Sequence, residues 1–307
     1  MITIKENVGF EGWPNCVHLS NRKIELIVTT DIGPRIIRLG YVEGRNMLYV
    51  SAADRGKVGG DQWRIYGGHR LWHSPEVMPR TYCPDNSPVN HSWDGKTLTL
   101  TPDVETLTGI GKEVEITLDP EFNRVTVLHR LVNHNLWDVE LSAWAITACA
   151  AGGKAILPQE PYKDPALDLL PSRPVVLWYF TQMADPRWRW GNKYIQLLQN
   201  PSLKSEQKIG ILNKQGWAAY CLDDDVLVKR FGFDPKARYE DYGCNNEVYT
   251  DGELLEIETL GPVTHLTPGQ RVEHTENWMI TKLPGLHRDT DESVVERLLS
   301  PLLKNRA

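Results

Sequence analysis

The chain has 307 residues, 41% of them hydrophobic and 24% charged, with a formal net charge of −6. Those proportions suit a globular chain that buries a large core. The acidic balance speaks against nucleic acid and anionic membrane as main partners, since both select for basic surfaces.

In chain order, the N-terminus shows no basic-then-apolar leader pattern, and no apolar run approaches the ~18 residues of a membrane span. Residues 23–30 (KIELIVTT), 35–42 (RIIRLGYV) and 46–51 (NMLYVS) read as short strands separated by DIGP and VEGRN turns. The stretch 66–76, YGGHRLWHSPE, breaks this pattern. His69 and His73 stand four apart, the spacing of a two-histidine metal site on a helix. Gly67-Gly68 before them and Pro75 after them argue against a helix, so no metal set of His69, His73 and Glu76 is expected. The stretch reads as a sharp turn that buries Leu71 and Trp72 and aims His69, Arg70 or His73 at a pocket. A turn histidine with satisfied hydrogen bonds is the plainer alternative.

Further strands are predicted over 96–103, 112–119, 123–133 and 138–147. The segment 152–173, rich in proline and glycine, reads as a long irregular connection across one rim. Strand signals resume at 174–180, 194–199, 208–213, 216–222, 226–231, 246–250, 253–261 and 273–281. Roughly fifteen short strands without an internal repeat predict one all-β sandwich-like domain over 1–307, mostly antiparallel. A C-terminal amphipathic helix is expected at 289–305, with Asp289 as N-cap, Glu292 completing a capping box and Pro301 inside. The five cysteines are scattered and form no CxxC; reduced thiols in a cytoplasmic setting follow.

Polar residues in strands mark candidate sites. Glu256 and Glu258 share one strand face, ~7 Å apart, where they form either a solvated face or the acid–base wall of a pocket. The preceding strand carries Asn246 and Glu247, and the short TDGE turn makes a hairpin that would bring Glu247 or Tyr249 near the glutamates. In DPRWRWGNKY, Trp190 belongs to a Trp/Arg alternation that suits sugar stacking or a core with solvated arginines. Arg35 and Lys229 are isolated basic residues in strands and offer partners for an anionic group.

DIGPRIIRLGYVEGRNMLYV, YGGHRLWHSPE, LSAWAITACAAGGKAILP and LLEIETLGPVTHLTPGQRVEH together resemble the galactose mutarotase-like superfamily across nearly the whole chain. The resemblance implies a β-supersandwich that binds a small carbohydrate without cofactor or metal, with aldose 1-epimerase-like chemistry. It places the family's late-strand glutamate base at Glu258. The family's mid-chain histidine acid falls near Trp144, where no histidine stands, so His69 or His73 is the substitute acid. Arg35, Arg70, Trp190, Lys229, Asn246, Glu247 and Glu256 are the implied substrate ligands. A non-catalytic carbohydrate-binding protein, or a lyase or hydrolase using Glu256 and Glu258, are the alternatives. Partners of other kinds, nucleic acid or membrane, are not expected.

Overall fold

Short strands with apolar residues at every second position bury that face by stacking sheet on sheet. The computed structural model, which describes residues 2–287 and 290–304, has two such sheets. The first runs, in hydrogen-bonded order, through Thr3–Phe10, Trp13–Ser20, Ile24–Thr29, Arg35–Tyr41, Gly68–Ser74, Val139–Cys149, Leu255–Leu260, Asn246–Thr250, Gln207–Ile211 and Val175–Leu177. The short strand Thr264–Leu266 adds to Val139–Cys149 outside this path. The second runs through Trp188–Trp190, Tyr194–Leu198, Lys154–Pro158, Trp217–Leu222, Asp225–Phe231, Arg271–Lys282, Arg124–Asn133, Ile110–Leu118, Thr97–Thr101 and Asn90–Trp93. The expected all-β, antiparallel sandwich with a C-terminal helix is what the chain forms.

Between the sheets lies one contiguous apolar cluster. Leu26, Leu71 and Ile257 of the first sheet meet Val114, Val127 and Leu227 of the second. The helix Glu292–Lys304 covers the outer face of the second sheet, where Val295 and Leu299 join Trp217, Val226 and Val228. Asp289, the expected N-cap, lies outside the described residues. Asp291 performs that function, its carboxylate accepting from the Ser293 amide at 2.7 Å. Glu292 reaches away from its own helix: its carboxylate accepts the backbone amides of Asn192, Lys193 and Tyr194 at 3.0, 2.6 and 2.8 Å. No helix among the described residues is long and apolar enough to cross a membrane.

YGGHRLWHSPE is not a turn. Gly68–Ser74 is a central strand of the first sheet, buried at all seven positions. Only its entry needs the glycines. Gly67 and Gly68 have φ of +105° and +69°, and a Cβ on them would fall 2.1 Å from the Tyr49 carbonyl oxygen and 2.3 Å from that of Ile36. The strand was illegible because polar side chains occupy both of its faces, which erases the apolar–polar alternation.

Candidate functional site

Strand parity decides what faces what. In Gly68–Ser74, Arg70 and Trp72 project from the outer face of the first sheet, whereas His69, Leu71 and His73 project towards the second sheet. Register then aligns outer-face side chains from five strands. Arg70 stands opposite Ile146, Ile146 opposite Glu258, and Glu258 opposite Glu247. In the next row Ala148, Glu256, Tyr249 and Lys208 follow one another. Trp72 and Trp144 pair in the row on the other side.

All of these but Ala148 and Glu247, with Trp63, Tyr82 and Trp178 from connecting segments, line a cleft of about 420 Å³. A larger hollow of about 910 Å³ lies beside the C-terminal helix and is bordered by Leu302. It gathers one carboxylate, Asp119, against six in the cleft, so the cleft is the better candidate for chemistry.

Two cations organise the cleft. Lys208 Nζ sits 2.8 Å from Glu247 and 3.0 Å from Glu258. It also lies 4.9 Å from the ring centre of Trp144 and 4.8 Å from that of Trp178. Arg70 is built likewise. Its guanidinium is 2.8 Å from Glu256, with the rings of Trp72 and Trp63 at 4.6 and 5.8 Å. Burial pulls the Lys208 ammonium down, but Glu247 and Glu258 outweigh it and hold its pKa above the ordinary value. Burial pushes the carboxyls of Glu247 and Glu258 above the usual range although Lys208 opposes this, Glu247 the further. Two carboxylates thus share one ammonium, and the pair holds a proton more readily than exposed glutamates do.

Glu258 is gripped at one oxygen only. Its Oε2 accepts from Trp144 Nε1 at 2.9 Å and from Lys208 at 3.0 Å. Its Oε1 is buried and has no partner. Arg70 Nε and Trp63 Nε1 also lack partners. All three residues line the cleft, so one acceptor and two donors stand unpartnered in its wall, where buried polar groups ordinarily have a partner.

His69 and His73 do not reach this cleft, contrary to expectation. His69 belongs to a sealed network between the sheets, and its direction follows from the acceptors. Lys229 donates to Thr147 Oγ1 at 2.7 Å, and Thr147 to His69 Nδ1 at 2.9 Å. His69 Nε2–H meets His129 Nε2 at 2.6 Å, because His129 Nδ1–H is committed to the His274 carbonyl at 2.9 Å. His274 in turn bonds Thr259, which donates to Glu276 at 2.5 Å. Burial holds all three imidazoles below their ordinary pKa, His274 at about 3.

Among the described residues, His69, His129 and Glu276 are the one group whose ligand atoms lie close enough together, within 4.8 Å, to hold a metal ion. Protons already consume that donor set. Neither His69 nor His129 keeps a free lone pair, and the Lys229 ammonium lies 2.8 Å from Glu276. His73 bonds Glu105 at 3.0 Å, and Glu76 bonds Tyr82, so His69, His73 and Glu76 do not converge.

Four other expected ligands also stand elsewhere. Arg35 is buried against Asp85 at 2.8 Å and donates to the carbonyls of Ile65 and Gly67. Lys229 lies in the inter-sheet network. Asn246 donates to the Glu258 carbonyl at 2.8 Å and braces the strand rather than the cleft. Trp190 stacks on Trp188 at the edge of the second sheet. Glu256, Glu258 and Arg70 line the cleft, and Glu247 supports it from beneath Lys208.

Sequence reading missed Lys208, Trp72 and Trp144 as cleft residues. Lys208 carries no local signal, since KIGILN reads as a plain strand. The network was more legible: His129 shares its strand face with Val125, Val127 and Leu131, and His274 and Glu276 share theirs with Trp278 and Ile280.

Neither a protein-family model nor a curated protein matches the chain by sequence. Solved structures do match it by shape. A TPR-domain containing protein from Parabacteroides distasonis superposes with a TM-score of 0.59 at 17% identity, over 90% of this chain and 48% of that one. The chain thus spans about half the length of that protein. A galactose mutarotase-like protein from Lactobacillus casei superposes with a TM-score of 0.57 at 10% identity, over 87% of this chain and all of the other. A candidate aldose 1-epimerase from Escherichia coli gives 0.57 at 12% identity, over 92% and 100%. The chain therefore has the fold of the galactose mutarotase-like proteins.

Proposed function

We propose that the protein binds a small carbohydrate in the tryptophan-walled cleft and exchanges a proton with it through Glu258, as an aldose 1-epimerase would. One observation carries this reading: the carboxylate of Glu258, a residue that lines the cleft, is fixed at Oε2 by Trp144 and Lys208 and keeps an unpartnered Oε1. Burial raises its pKa, which makes it a better base than an exposed carboxylate once ionised.

Ring opening of a cyclic aldose moves two protons. Glu258 takes the proton of the anomeric hydroxyl while the bond from the anomeric carbon to the ring oxygen breaks. The ring oxygen takes a proton from a donor, the aldehyde forms, and closure on its other face reverses both transfers. No histidine among the described residues lines the cleft. The hydroxyls there belong to Tyr49, Tyr82 and Tyr249, which donate to Glu253, Glu76 and Glu206; the second proton comes from one of these hydroxyls once it turns from its carboxylate to the ring oxygen. Arg70 Nε and Trp63 Nε1 serve as donors to sugar oxygens, and the indole rings as stacking walls.

Binding without turnover is the second reading. It is favoured by the lack of a cleft histidine and by the mutual pairing of Arg70 with Glu256. A lyase or hydrolase ranks lower, since Glu256 and Glu258 rise from one strand and do not flank a bond. Saturation-transfer NMR of anomer exchange on a panel of aldoses tests the proposal. Wild type accelerates exchange of at least one sugar, and Glu258→Gln slows it ~100-fold or more. Equal exchange rates in the two proteins remove Glu258 as base; sugar binding without any exchange selects the second reading.

A further inference from the structure

We infer that the ligand of this cleft is an amino sugar in its ammonium form, and that sugar phosphates and sugar acids are excluded. This rests on the carbohydrate reading above and names its substrate class.

The first ground is charge. The cleft is lined by six carboxylates, Glu76, Glu206, Asp251, Glu253, Glu256 and Glu258, against two cations, Arg70 and Lys208. Both cations are already committed to glutamates, at 2.8 and 3.0 Å. An incoming anion would meet an excess of negative charge, with Glu76, Glu206 and Glu253 exposed at the rim and Glu256 and Glu258 buried at the floor, and the repulsion strengthens as it moves inward. A cation would meet the reverse.

The second ground is hydrogen-bond polarity. Three of the carboxylates are each held by a tyrosine hydroxyl that donates: Tyr49 to Glu253 at 2.6 Å, Tyr249 to Glu206 at 2.9 Å, and Tyr82 to Glu76. A tyrosine fixes a carboxylate without neutralising it, and an ionised carboxylate is purely an acceptor. The rim therefore presents oriented acceptors. An ammonium, with three donors and no acceptor, is their complement; a phosphate or carboxylate is not.

The third ground points inward. Glu258, 1% exposed, lines the cleft and keeps an unpartnered Oε1 beside the open donors Arg70 Nε and Trp63 Nε1, so the floor offers sugar hydroxyls both kinds of partner while the rim adds acceptors for an ammonium. A divalent cation is a poorer fit. The rim carboxylates are not among the described groups of three or more ligands that converge, and a metal needs such convergence whereas an ammonium on a sugar ring needs one or two carboxylates.

Isothermal titration of the intact protein at about pH 6, where a sugar amine is protonated, tests this with paired probes. The pairs are glucosamine and glucose, galactosamine and galactose, with glucose 6-phosphate and glucuronate as acidic probes. The expected result is that at least one amino sugar binds about tenfold more tightly than its neutral parent, the yield of two or three modest carboxylate attractions, and that neither acidic probe binds. Glu206→Gln with Glu253→Gln lowers the ratio of amino-sugar to neutral-sugar affinity. Should that variant fail to fold, raising salt from about 0.05 M to about 0.5 M on wild type must lower the same ratio. Neutral sugars binding as tightly as their amino counterparts, or an acidic probe binding more tightly, overturns the amino-sugar inference and leaves the carbohydrate reading standing. Failure of every sugar to bind overturns both.

Discussion

Lysine 208 is the most informative residue to remove. In Lys208→Met most of the side-chain length is kept, and the ammonium, 2.8 Å from Glu247, 3.0 Å from Glu258 and over the rings of Trp144 and Trp178, is lost. Two carboxyl groups, 0% and 1% exposed, then face each other with no counter-charge. Breaking a buried ion pair by deleting one partner costs about 3–5 kcal/mol while the remaining charge persists. The carboxyls can escape that cost by taking up protons. Their folded pKa values already lie above the ordinary one through burial, and without Lys208 they rise further. A carboxyl with a raised folded pKa contributes stability that is complete below its unfolded value and is lost as pH climbs through the folded value. The deficit of the variant is therefore small at about pH 4, where both carboxyls are neutral, and grows by up to about 1.4 kcal/mol per pH unit per proton. At about pH 8 it reaches about 3–5 kcal/mol. Urea unfolding of both proteins across this range measures it, and the infrared carbonyl band of protonated carboxyls at neutral pH should be stronger in the variant than in the wild type. A deficit independent of pH, or larger in acid than in base, would refute the shared-ammonium account.

Three further outcomes follow from other contacts. Trp144→Phe removes the 2.9 Å indole bond to Glu258 Oε2; it should cost about 1–3 kcal/mol and move the acid-side limb of any anomer-exchange profile to higher pH, which stability and NMR rate measurements would show. The depressed histidines work in the opposite sense to the glutamates. A buried neutral imidazole contributes stability above its unfolded pKa of about 6.5 that is lost as pH falls. His274, held at about 3, should steepen acid unfolding by up to about 1.4 kcal/mol per pH unit, and His274→Gln should flatten the curve by that amount; an unchanged slope would count against the neutral network. Glu292→Ala releases three backbone amides from their shared acceptor; a loss of about 1–3 kcal/mol and earlier proteolysis within Glu292–Lys304 are expected.

Much of the site was open to reading from residues alone. The parity of LEIETL puts Glu256 and Glu258 on one face, and the TDGE turn sets the hairpin that pairs Glu247 with Glu258. Both are local consequences of a period of two. YGGHRLWHSPE drew attention for its histidines, but its arginine and tryptophan are what reach the cleft. Once that stretch is recognised as a strand, alternation alone sends His69 and His73 to the opposite side from Arg70.

What sequence by itself determined was the all-β class, the antiparallel habit, the apolar face of the C-terminal helix and the glutamate pair. Each of these rests on spacing within one segment. Tertiary structure decided the rest. It brought Lys208 beneath Glu258, 50 residues away, and placed Trp144 where its indole grips that carboxylate. It also joined His69 to His129 across two sheets. Register between strands distant in sequence sets those meetings, and it is chosen by the fit of the whole sandwich rather than by any pattern within one strand.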